Sequence, residues 1–136
     1  MKISVNNPCP CGSNKKFKKC CKIFHNGLKA SSALELMKSR YSAYVVGDSK
    51  YIMKTTHKEN QDFTSDIEAW SESIKEFSKN SIFNGLVILE FIDGEKEAFV
   101  TFKALITQHG NDVSFVEKSK FYKIDDEWLY HSGVID

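Results

Sequence analysis

The stretch "VSFVEKSKFYKIDDEWLY", Val113–Tyr130, alternates as far as Lys123, turns at "IDDE" (124–127), and enters a second apolar run at Trp128, Leu129 and Tyr130. Successive side chains of a strand point to opposite faces. Val113, Phe115, Glu117, Ser119 and Phe121 therefore share one face, and Lys118, Lys120 and Tyr122 share the other. The pattern reads as two antiparallel strands joined by a tight turn. One detail makes it informative. Glu117 and Ser119 stand in an otherwise apolar row, and a carboxylate there needs a partner or a proton. Arg40 is the only arginine and borders the apolar stripe of an upstream helix, so it is one candidate partner; His57, in "TTH", is another. Two readings follow: a polar contact that fixes helix against sheet, or a pocket that binds or transforms a ligand. Trp70 and Trp128 read as core or rim.

Upstream of this pair, "LVILEFI" (86–92) reads as a buried strand, Asp93–Gly94 as a hairpin turn, and residues 96–107 as an alternating strand. "GND" (110–112) reads as the next turn. Before the strands the period changes. Leu34, Met37, Tyr41, Tyr44 and Val45 recur at helical steps, with Ser32 and Glu35 as a capping box and Gly47 as a stop. Asp48 is placed to cap a second helix ending near Lys54. A third is expected to open at Ser65 with Glu68, its apolar face being Ile67, Trp70, Ile74 and Phe77. Helices followed by a four-strand antiparallel meander make an α+β fold. A curled sheet would wrap the helices into a cone with a cavity; a flat sheet would leave none.

The N-terminus follows different rules. "CPCGSNKKFKKCC", Cys9–Cys21, holds all four cysteines. Disulfides fit poorly, because Cys20 and Cys21 are adjacent and only Pro10 separates Cys9 from Cys11. Zinc fits better: it takes four thiolates tetrahedrally, and "GSN" (12–14) lets the second pair return to the first. A redox-reactive cluster is the other chemical option. Thirteen residues cannot build a core, so one structural zinc ion would supply most of the folding energy of this tip. Lys15, Lys16, Lys18, Lys19 and Lys22 surround the cysteines, offset the negative charge of the site, and favour the thiolate form.

Charge divides the chain in the same way. Residues 1–29 carry seven lysines and no acid; removing those from the net +1 leaves about −6 on residues 30–136. With 41% hydrophobic and 27% charged residues the chain is globular in composition. No window reaches membrane-spanning length and no signal peptide is visible, so the expectation is a cytoplasmic protein with reduced thiols.

"NPCPCGSNKKFKKCC" resembles the SEC-C motif, a short zinc module also found at the C-terminus of the translocase motor SecA. The resemblance covers about residues 6–25 and implies Cys9, Cys11, Cys20 and Cys21 as ligands. Some members use histidine last, where this chain has Cys21. In SecA the module contacts a chaperone and anionic surfaces, which implies a docking role. The whole chain resembles the YchJ family: "LMKSRYSAYVVGDSKYIMKTTH" is similar to the start of its middle domain and "FVEKSKFYKIDDEWLYHSG" to its closing strands. That implies a SEC-C module at residues 1–27 and a nuclear transport factor 2-like domain at 30–136. Residues fitting the family pattern are Arg40, Tyr41, Ser42, Thr56, His57, Glu117, Ser119 and Phe121. Many relatives carry a second SEC-C motif at the C-terminus. This sequence runs to "HSGVID" without further cysteine, so a role needing two modules is not expected.

Two functions are therefore carried forward. In the first, an adaptor uses the basic zinc head, Lys15, Lys16, Lys18, Lys19 and Lys22, to dock on a partner protein, with ribosomal, nucleic-acid or lipid surfaces as other anionic targets. In the second, an enzyme or ligand-binding protein uses a cone pocket built from Arg40, Tyr41, His57, Trp70, Glu117, Ser119 and Phe121, with His57 and Glu117 as the pair for proton transfer. The body has no nucleophile, metalloprotease or phosphate-loop motif, which favours the first.

Overall fold

The computed structural model describes residues 3–136, so Lys2 of the basic head lies outside the described residues. A 3-10 turn at Phe17–Lys19 precedes α1 (Cys21–His25), α2 (Ala33–Val46), α3 (Ser49–Lys54) and α4 (Ile67–Asn80). The strands follow: β1 (Ile82–Ile92), β2 (Glu97–Gln108), β3 (Asn111–Asp112), β4 (Phe115–Ile124) and β5 (Glu127–Ile135).

The helix boundaries come from side-chain caps. Ser32 Oγ accepts from the Glu35 amide at 3.1 Å, and Gly47 closes α2 in the left-handed region at φ 75°. Asp48 caps α3 through the Tyr51 amide at 3.1 Å. Helix α4 starts later than the sequence suggests. Its cap is Asp66, which accepts from the Ala69 amide at 3.1 Å, rather than Ser65. A carboxylate at this position also complements the positive end of the helix dipole. With that start Ile67 is exposed and leaves the expected apolar face, while Trp70 and Ile74 are buried.

The sheet is antiparallel in the order β1-β2-β4-β5, with the two-residue β3 folding back on β2. "GND" is thus more than a turn: Asn111 pairs with Gln108 and Asp112 with Thr107. The chain reverses at His109 (φ 50°) and Gly110 (φ 80°), and again at Asp125 (φ 47°) and Asp126 (φ 68°). Two left-handed residues in each loop match the twist of the flanking strands. Strand β1 is also corrected. It begins at Ile82 and forms a sheet edge, with Val87 and Leu89 exposed, rather than a strand buried on both faces. A continuous apolar run looks the same in either setting; only the neighbours decide.

Register breaks at Phe83/Gly85, Ile88/Glu90 and Lys120/Phe121 add local twist, and the sheet curls around α2 and α4. Strand β2 alternates strictly, burying Ala98, Val100, Phe102, Ala104 and Ile106 against the helices. The small Ala98 and Ala104 in this row reduce the filling of the concave side. A second, smaller core gathers Phe17 with Cys9, Cys11 and Cys21 at the N-terminal tip.

Candidate functional site

At the tip, left-handed Gly12 (φ 86°) and Asn14 (φ 68°) turn the chain back, and the Cys9 amide donates to the Lys15 carbonyl at 2.8 Å. The four sulfurs converge, all within 4.8 Å of one another, with Cys11 and Cys20 Sγ 3.6 Å apart. Four thiolates at zinc–sulfur distance place their sulfurs about 3.8 Å apart, so the residues present fit a tetrahedral metal ion. The crowding also polarises the thiols. Neighbouring S–H donors hold Cys9 far below the usual thiol range, whereas proximity to Cys11 and Cys9 and burial push Cys21 far above it. A divalent cation would relieve that conflict.

The tip is seated on the body. Ser42 Oγ of α2 meets Cys9 Sγ at 3.6 Å. His25 packs between Phe17 and Tyr51, with ring centroids 5.7 and 4.7 Å away. Its Nε2 lies 2.8 Å from the Ser39 carbonyl, which can only accept, so Nε2 carries the proton. Burial lowers the His25 pKa, outweighing that bond and the nearby Asp48. Lys15, Lys16, Lys18 and Lys19 are exposed, Lys22 is half-buried, and none of the five pairs with a carboxylate of the described residues.

The body contains a cavity of about 550 Å³ between the curled sheet and helices α2 and α4. Arg40, Tyr41, Trp70, Glu117, Ser119 and Phe121 all line it. Aromatic side chains dominate the remaining wall, among them Phe77, Phe83, Phe102 and Phe115. Burial pushes the Tyr41 hydroxyl up to about 12. A second, more polar space of about 470 Å³ shares Arg40, Tyr44, Asp62, Trp70, Glu117 and Tyr130 with the first. These shared residues form the junction between an apolar chamber and a polar antechamber.

Arg40, one of the two candidate partners of Glu117, does not pair with it; among the described residues no carboxylate lies within 4.0 Å of Arg40. Its Nη1 donates to the Ile52 carbonyl (3.0 Å), Thr55 Oγ1 (2.7 Å) and Thr56 Oγ1 (3.1 Å). The guanidinium also stacks on the Tyr130 ring, 4.7 Å from its centroid. Tyr130 is held there because its amide donates to the Thr55 carbonyl and its carbonyl accepts from the His57 amide, both at 2.8 Å. Glu117 finds other partners: its Oε2 accepts from Ser119 Oγ at 2.5 Å and from the Tyr130 hydroxyl at 2.8 Å. Tyr130 is thus the spacer between the two charges. Burial and the Glu117 carboxylate push its pKa far up, so it remains a donor.

His57 lies outside both spaces. It is buried, its Nδ1 accepts from the Glu59 amide at 3.0 Å, and its ring packs 5.1 Å from that of His131. His57, Glu59 and His131 stand close enough to share an ion. With the Nδ1 lone pair of His57 already used, however, its Nε2 carries the proton in the neutral ring and has no lone pair to offer a metal. The His57–Glu117 pair envisaged for proton transfer is not assembled in the cavity.

Tyr44 and Tyr130, which the sequence places in apolar runs, and Gly133 are site residues that the sequence does not single out. A methyl group on Gly133 would overlap the Glu117 carboxylate and the Tyr130 hydroxyl, so glycine makes room for that cluster. The only available signal was the glycine in "HSG" at the end of an alternating run. Among the described residues no helix is long and apolar enough to cross a membrane.

A curled sheet over three helices with a metal-type cysteine tip defines a SEC-C protein with a nuclear transport factor 2-like body. Residues 32–133 match the model of the YchJ middle NTF2-like domain, and residues 6–22 match the SEC-C motif. The chain is 35% identical over 130 residues to a UPF0225 protein of Streptomyces coelicolor, covering 93% of this chain and 94% of that one. Two solved structures are similar across most of the chain. A SEC-C motif containing protein from Rhodopseudomonas palustris gives a TM-score of 0.81 at 29% identity, covering 94% of this chain and 98% of that one. One from Psychrobacter arcticus gives 0.80 at 27% identity, covering 94% and 82%. The chain belongs to the YchJ family.

Proposed function

We propose that this protein binds a small molecule in its cone cavity, while a single zinc ion on Cys9, Cys11, Cys20 and Cys21 holds the tip as a rigid basic surface. The observation that carries the reading is the open chamber of about 550 Å³ with Arg40 and Glu117 at its polar junction. A chamber of that size lined by aromatic side chains, with a few convergent polar groups, has the character of a ligand site. Catalysis receives less support, because Glu117, the carboxylate on the sheet wall of the site, is not accompanied by His57. Zinc acts as a staple: four sulfur ligands leave no open position for substrate. The test is a titration with an apolar fluorescent dye, with Ala104→Trp filling the chamber. Dye binding that is saturable in the wild type and lost in the filled variant is expected; binding indifferent to the filling refutes the reading.

A second reading concerns docking and rests on the exposed, unpaired lysines of the tip. Lys15, Lys16, Lys18 and Lys19 would bind an acidic protein surface by salt-sensitive attraction. Changing all four to Glu, with one equivalent of zinc retained, is expected to abolish capture of such a partner. Unchanged complexes would exclude it.

A further inference from the structure

The junction between chamber and antechamber has an unfinished electrostatic arrangement. Arg40 is only 8% exposed, yet among the described residues it has no carboxylate partner and hydrogen-bonds through Nη1 alone. The Nη2 and Nε groups of Arg40 make no hydrogen bond to the described residues. Arg40 lines both cavities. A buried guanidinium without a counter-charge is costly, and an anion delivered by a ligand would offset the cost.

The neighbouring carboxylate sets a second condition. Glu117 Oε2 already takes two hydroxyl donors, while Oε1 has no partner among the described residues. A bare anion seated on Arg40 would meet repulsion from Glu117 unless it also carried a donor. The Tyr130 ring holds the two sites apart: the guanidinium stacks on its face and the carboxylate hangs from its hydroxyl. A guanidinium and a carboxylate acceptor, separated by the Tyr130 ring, thus stand at the junction with a chamber walled by aromatic rings.

Resting on the reading of the cavity as a ligand site, we infer that its ligand is an α-amino or α-hydroxy acid with a large apolar side chain. The carboxylate pairs with Arg40, the donor on the adjacent carbon reaches Glu117 Oε1, and the apolar group fills the chamber. Arginine suits this role because its planar fork matches a carboxylate with two parallel hydrogen bonds.

Calorimetric titration with five probes tests the inference: L-tryptophan, indole-3-lactate, indole-3-propionate, tryptamine and indole. The first two are expected to bind about tenfold or more tighter than tryptamine or indole, and the order of the two tells amino acid from hydroxy acid. Arg40→Gln should erase the advantage of the acids and leave indole unchanged. Because Arg40 also ties α2 to the end of α3, Glu117→Gln provides a second reading. It should weaken L-tryptophan about tenfold while tightening indole-3-propionate, which has no donor for Glu117 and is freed of its repulsion. Tryptamine or indole binding as tightly as the acids, or an acid preference that survives Arg40→Gln, overturns the ligand class and leaves the cavity reading intact. No binding by any probe, together with failure of the apolar dye, overturns both.

Discussion

Gly133 faces Ser119 across the β4–β5 ladder, and its missing side chain is the space that the Glu117 carboxylate and Tyr130 hydroxyl occupy. Gly133→Ala is expected to cost about 1–3 kcal/mol through overpacking and to weaken ligand binding, read by thermal melting beside the calorimetric titration. A variant equal to wild type in both would mean that Glu117 is not pinned as described. His25 carries a pH dependence. Its folded pKa is lowered from 6.5, so the unfolded chain takes up the proton first as the solution is acidified. Its contribution is therefore retained above that ordinary value and is lost as pH falls towards the folded pKa. His25→Phe keeps the ring between Phe17 and Tyr51 but cannot titrate. With metal content monitored, its stability should fall less than that of the wild type on acidification from pH 7. Parallel losses would assign the acid sensitivity to other groups. At this scale the family-pattern residues also acquire physical roles: Ser42 touches Cys9 at the seat of the tip, and Thr56 holds Arg40.

At the scale of elements, α4 depends on one cap. Asp66→Ala should lower stability by about 1 kcal/mol, whereas Ser65→Ala, whose side chain makes no capping bond, should leave the melting temperature nearly unchanged. The reverse order would restore the boundary expected from sequence. The sequence leaves that boundary ambiguous because two capping residues stand next to each other, and local pattern does not say which one the chain enters the helix on. Strand β1 differs from the expectation for a related reason. Its run "LVILEFI" announces a strand, but the number of strands beside it is a matter of topology. Strand β4 is legible from Phe115 onward: Phe115, Glu117, Ser119 and Phe121 share a face and line one cavity, whereas Val113, expected on the same face, precedes the strand and is exposed.

For the whole molecule, the tip and the body depend on different forces. Apart from the cysteines, Phe17 is the only buried apolar residue among the described residues of the tip, whereas the body has a continuous apolar core. Chelation is therefore expected to strip hydrogen-exchange protection from residues 6–22 while β2 and β4 keep theirs. Tip amides that remain protected without metal would show that apolar contacts with α2, not the ion, hold it.

By itself the sequence determined the cysteine cluster, the basic tip, the helices-then-strands order and the row of residues on β4, because spacing, charge and side-chain period are local properties of the chain. Only the tertiary structure decided that Arg40 and Glu117 stand apart across Tyr130, that His57 is turned away, and that the interior is open. Those outcomes depend on how curled strands and packed helices divide the available space, and on which of several nearby acceptors a single buried guanidinium reaches first.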